Sequence, residues 1–170
     1  GEECRKVLGA LDWCADEKRS RGVPIGIVGW GEGGLLALYS AALDTRIEAT
    51  LVSGYFQSRQ EVWKEPIYRD VWGLLTEFGD AELAGLIAPR ALIVEACRGP
   101  EISGPPPETE ERKGATPNGS LTTPPLVSVQ GEIERARHFY SQLKSEDQLR
   151  LIINRDGHGS PVSEPALTTL

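Results

Sequence analysis

The run Ile25 to Gly34, I-G-I-V-G-W-G-E-G-G, constrains this chain more than any other stretch: an apolar strand enters four glycines and opens at once into the helix-forming run LLALYSAALD. A strand that turns this abruptly into a helix begins a βα unit, and such units build parallel sheets. Two motifs fit the turn. Read as G-x-G-x-x-G at Gly29, Gly31 and Gly34, it is a dinucleotide-binding turn; read as G-x-S-x-G over Gly29 to Gly33, it is a nucleophile elbow with glycine in the serine's place.

The flanking sequence supports an α/β class. Cys4, Val7, Leu8, Leu11, Cys14 and Ala15 recur at helical spacing and predict an amphipathic helix over 2–20, ended by Gly22. Strands are expected over 23–28, 47–53, 91–96 (ALIVEA) and 148–153, and helices over 35–43, 71–78, 80–87 and 126–143, with Asp80 as an N-cap and the last ten residues starting a final helix. Residues 54–68 read as an excursion. Mostly apolar strands alternating with helices predict a parallel sheet covered on both faces, a three-layer α/β/α arrangement. At 170 residues and 39% hydrophobic, the chain is expected to form a single domain over 1–170. Residues 98–125 shift to Gly, Pro, Thr, Ser and Glu and read as a long, partly disordered loop or insertion.

Charge and cysteine usage narrow the function classes. A net charge of −7 argues against a nucleic-acid footprint. The longest apolar runs fall far short of the roughly 20 residues that span a membrane, and GEECRKVLGALDW has no signal-peptide layout. Cys4 and Cys14 on one helix would lie roughly 15 Å apart, too far to bridge, so buried free thiols are expected. Neither a CxxC nor a Cys/His cluster suggests a metal site, and no cofactor is expected. A chain that starts inside a helix without Met reads as part of a longer protein, so the compartment stays open.

The two motifs make different demands further along. A dinucleotide site needs an acidic residue roughly 20 positions on to hold a ribose, but the second strand ends Val52-Ser53-Gly54 and Glu48 lies at its wrong end. An elbow needs small neighbours and, later in the chain, an acid and a histidine; His158 sits in a D-G-H-G turn after the fourth strand. Taken alone, that histidine is equally an ordinary loop residue. The elbow uses more of the chain, and a nucleotide-binding module is kept as the minor alternative.

With these features in place, the chain resembles the C-terminal half of an α/β-hydrolase over roughly residues 2–160. The run Phe78 to Val94, F-G-D-A-E-L-A-G-L-I-A-P-R-A-L-I-V, is similar to the segment before the acid-bearing strand in dienelactone-hydrolase-like and acetyl-xylan-esterase-like members. The resemblance implies a carboxylic ester hydrolase fold with Gly31 at the nucleophile position, His158 as the histidine, Glu101 (in preference to Glu95) as the acid, and the Glu32 backbone N–H as one oxyanion donor. Gly31 has nothing to acylate, so impaired catalysis is expected, with a small-molecule ester or carbohydrate ester as the ligand. Gly31→Ser is expected to create some esterase activity once the strands before residue 1 are supplied. The alternative is an active esterase using a water activated by His158 or Glu32, or another serine such as Ser53. The first strand is expected to be a sheet edge that the rest of a longer chain or a partner covers. Trp30, Tyr55, Phe56, Trp63, Tyr68 and Trp72 read either as lid material or as ordinary packing.

Overall fold

The computed structural model describes residues 2–19, 23–104 and 119–170. Four parallel strands form the sheet in the order β1 (Ile25–Trp30), β2 (Ile47–Ser53), β3 (Ala91–Ala96) and β6 (Leu149–Ile153); β4 (Ile102–Ser103) and β5 (Ser120–Leu121) pair antiparallel outside it. Parallel neighbours need crossovers, and helices supply them: α2 (Glu32–Leu43) between β1 and β2, α3 (Asp80–Ile87) before β3, and α4 (Leu126–Gln142) before β6. Helix α1 (Glu2–Arg19) precedes the sheet and α5 (Glu164–Thr169) follows it.

The two-residue period of the strands divides the core. Val52, Leu92 and Val94 pack with Leu38 and Ala41 of α2, Ile87 of α3 and Val129 and Ile133 of α4, while Leu51 and Ile93 point the other way, toward Ala166 of α5. Four helices therefore cover one face and a six-residue helix covers part of the other. That asymmetry leaves β1 half clothed. It lies at the end of the sheet, and Val28 and Trp30 on its open face are 42% and 44% exposed. Burial of every strand on both faces thus holds for β3 and, past Glu48, for β2, and fails for the edge strands β1 and β6.

Arg90, inside the L-I-A-P-R-A-L-I-V run, ties three elements together. Its guanidinium donates to the carbonyls of Ala41, Asp44, Ile47 and Leu86, at the ends of α2 and α3 and the start of β2.

Several local expectations are corrected. Helix α2 starts at Glu32, immediately after the turn, three residues earlier than expected. Residues 71–78 form turns instead of a helix, with Gly73 and Leu75 at positive φ. Asp80 does not cap α3: Gly79 is the N-cap, its N–H is taken by Glu82 at 2.8 Å, and Asp80 is buried in the first turn. All three cysteines are free, but Cys97 alone is fully buried. Of the expected 98–125 loop, residues 105–118 lie outside the described residues, and its flanks pair as the short strands β4 and β5.

Candidate functional site

The strand β1 runs into its turn under tight steric control. Gly31 has φ 55° and ψ −117°, a conformation that strongly favours glycine, and its N–H donates to Ser53 O at 3.0 Å while its carbonyl accepts from Leu35 N in the first turn of α2. A Cβ on Gly29 would sit far inside contact distance of the Gly33 carbonyl, and one on Gly34 would lie 3.0 Å from Tyr55 Cβ and 3.2 Å from Ser53 O. Gly33 itself has open space around its Cβ direction. The strand thus folds back against the helix it starts, with the close approach between positions 29 and 33. That is the pair an elbow brings together.

The Glu32 N–H lies in the first turn of α2, where amides have no intrahelical acceptor. Its side chain does something the sequence did not suggest. The carboxylate accepts from Tyr68 Oη at 3.1 Å and from Arg69 at 2.6 and 3.0 Å, joining the elbow to the segment between β2 and α3. Arg69 also bonds Glu65, Arg59 reaches Glu65, and Arg59 forks onto Asp80 Oδ2 at 2.7 and 3.0 Å. Both guanidinium groups lie near the buried Tyr55 ring, at 4.0 and 5.2 Å from its centroid. Burial pushes the Asp80 carboxyl up from its ordinary value, and the Arg59 and Gln57 hydrogen bonds counter only part of that rise. No sequence pattern announces buried arginines. Of the aromatic residues, Tyr55 and Phe56 are core, whereas Trp63, Tyr68 and Trp72 are 63%, 61% and 98% exposed.

The loop after β3 crosses above the elbow. Arg98 O accepts from Trp30 Nε1 at 2.8 Å, Arg98 N donates to Gly159 O at 3.1 Å, and Gly99 N donates to Thr123 Oγ1. Glu101 follows; its exposed carboxylate accepts from Thr123 Oγ1 at 2.8 Å. Between them, the Pro100 ring faces Gly31. This residue escaped the sequence reading because proline there resembled the loop composition around it.

His158 sits in a turn wound around Asn154. Arg155, Asp156 and Gly157 all have positive φ, the N–H groups of Gly157 and Gly159 donate to Asn154 O, and Asn154 Nδ2 donates to Ser160 O. Through the Arg98–Gly159 bond, this turn meets the loop that carries Pro100 and Glu101, near the carboxyl ends of the strands. The His158 ring is exposed, and among the described residues it makes no hydrogen bond, to Glu101 or to any other group.

Beneath that edge is a buried cluster. Ser53 Oγ donates to Glu95 Oε2 at 2.5 Å and lies 3.1 Å from Cys97 Sγ; Val162 N and Ser163 N bond Glu95 at 2.7 and 3.1 Å. Burial would raise the Glu95 carboxyl, but bonds from Ser163, Ser53 and the Val162 amide outweigh it and hold the group below its ordinary value. Burial likewise pushes the Cys97 thiol up to about 11. Ser53 is fully buried and fully engaged, so its hydroxyl does not face a substrate.

Two hollows border the site. One of about 540 Å³ is lined by Leu35, Leu36, Tyr39, Tyr68, Val71 and Glu32, and another of about 430 Å³ lies between the 57–65 and 120–128 segments, with Gln57, Ser58, Gln60, Ser120 and Ser128 among its walls. Among the described residues no group of three or more His, Cys, Asp or Glu is placed to hold a metal ion, and no helix is long and apolar enough to cross a membrane.

No family model matches the sequence, and no curated protein does. Two solved structures align with part of the chain. A carbohydrate esterase family 15 glucuronoyl esterase from Caldicellulosiruptor kristjansonii aligns over 83% of this chain and 39% of its own at 19% identity and a TM-score of 0.46. Methylesterase BT1017 aligns over 74% of this chain and 23% of its own at 17% identity and a TM-score of 0.42. The chain therefore spans well under half the length of either protein.

Proposed function

We propose that this chain is an α/β-hydrolase-type domain, resembling carboxylic ester hydrolases, that retains a ligand-binding edge and has lost covalent catalysis. Gly31 carries the reading: it holds the positive φ and sharp strand-to-helix reversal of an elbow, and has no atom to attack an acyl carbon. The ligand class is a small ester or carbohydrate ester, bound at the carboxyl ends of the strands where the loops of Gly31, Glu101 and His158 meet.

A direct test combines turnover and labelling. With p-nitrophenyl acetate, the protein should show no hydrolysis beyond that of its His158→Ala variant, and a fluorophosphonate should leave every serine unmodified. Titration with a methyl or acetyl sugar ester should give saturable chemical-shift changes near Glu101 and His158. An adduct on any serine defeats the reading, as does an ester titration without shifts.

A second reading, hydrolysis by a water activated at His158, has one observation in its favour: the ring is exposed on a turn bonded to the loop over the elbow. General-base catalysis of this kind is worth roughly 10²–10⁴-fold, so a His158-dependent rate in the first assay would select it. Nucleotide binding has less support, because β2 ends at Ser53, whose hydroxyl is committed to Glu95.

A further inference from the structure

The elbow is closed by volume as well as by chemistry. An ideal Cβ on Gly31 would lie 2.7 Å from Pro100 Cδ and 2.8 Å from Cγ, against the 3.5–4.0 Å at which carbon atoms pack, while Pro100 Cβ would be an acceptable 3.9 Å away. The obstruction is therefore the far side of the pyrrolidine ring. Such a contact is trivial when a flexible side chain can swing aside, but a proline ring is locked to its own backbone.

That backbone is pinned from several directions. Arg98 is bonded to the Trp30 indole and to Gly159, and Gly99 is bonded to Thr123, which also binds Glu101. On the underside the loop is in contact with Gly54, at φ 60°: a Cβ there would lie 3.0 Å from Arg98 O and 3.2 Å from Gly99 Cα, and a Cβ on Gly99 would lie 2.8 Å from Gly54 O. Two facing glycines let the loop settle this low over the sheet edge.

We propose that Pro100 is a fixed plug that fills the space a nucleophile's side chain would occupy at residue 31. The expected gain of esterase activity in Gly31→Ser is thereby revised: the ring must leave as well. The proposal rests on the elbow reading of Gly31 but not on ligand binding.

A double-mutant cycle in thermal midpoint tests it, using Gly31→Ala, Pro100→Ala and the double variant. The positive φ penalises alanine equally in both backgrounds, so it cancels and the cycle isolates the ring contact. Gly31→Ala should lower the midpoint by several degrees or prevent folding, and adding Pro100→Ala should recover a clear part of that loss. Additive losses, or a double variant that folds no better than Gly31→Ala, overturn the plug.

A second arm separates the plug from the chemistry of the site. Gly31→Ser and Gly31→Ser/Pro100→Ala are each treated with a fluorophosphonate; labelling forms an Oγ–P bond, breaks the P–F bond and releases fluoride, the hydroxyl proton passing to water or to His158. Adduct at the introduced serine at least tenfold faster in the double variant supports the plug, and equal rates in the two contradict it. Recovery of stability without any adduct leaves the plug standing and counts against the hydrolase-like site instead.

Discussion

Ser53 Oγ donates to Glu95 Oε2 at 2.5 Å in the interior, where β2 and β3 end side by side. The same carboxylate accepts the amides of Val162 and Ser163, so a single buried charge joins two strands to the segment that follows the histidine turn. Glu95 is a structural clamp, and its acidity is shaped by donors from β2 and from the 162–163 segment.

Glu95→Gln should cost about 1–3 kcal/mol in urea unfolding, because an amide offers one acceptor oxygen to donors that now share two. Ser53→Ala should cost less, since two backbone amides still satisfy the carboxylate.

The pH dependence follows from the lowered acidity. A carboxyl held below its unfolded value contributes stability in full above the ordinary carboxylate range, near 4.3, and loses it as pH falls through the folded value. Wild-type stability should therefore drop on acidification below about pH 4.3, and the drop should be smaller in Glu95→Gln, read from denaturant midpoints at pH 6 and pH 3.5.

Arg59 and Asp80 are both buried, with side chains 1% and 0% exposed. Arg59→Met strands a buried carboxylate and should cost about 3–5 kcal/mol at pH 7. Because burial already raises Asp80, that loss should shrink at pH 5 as the stranded group takes up a proton. Arg59→Met with Asp80→Leu should recover most of the stability. Chemical denaturation of the wild type and the two variants at the two pH values provides the check.

The glycines of the opening run should separate sharply. Gly29→Ala drives a Cβ into the Gly33 carbonyl, backbone against backbone, and should cost at least about 3 kcal/mol or abolish folding. Gly33→Ala meets nothing within 4 Å in the first turn of α2 and should be neutral or stabilising by about 0.5–1 kcal/mol. Thermal melts of the two proteins decide the matter, and equal destabilisation would contradict the turn geometry.

The sequence by itself determined the alternation of strands and helices, the parallel sheet and the unusual turn at Gly31, because these depend on hydrophobic period and local backbone freedom within a few residues. It mistook turns for helix over 71–78, where the apolar residues Val71, Leu74 and Leu75 have helical spacing but the chain needs positive φ at Gly73 and Leu75. It gave Asp80 a capping role that Gly79 performs, since a local pattern does not reveal that Arg59 lies across from that side chain. Only the tertiary structure decided that Ser53 is buried against Glu95, that two arginines flank Tyr55, and that Pro100 sits over Gly31. Each of these joins residues at least four and up to 69 positions apart, and the energies involved, desolvation and steric exclusion, exist only once the chain has brought them into contact.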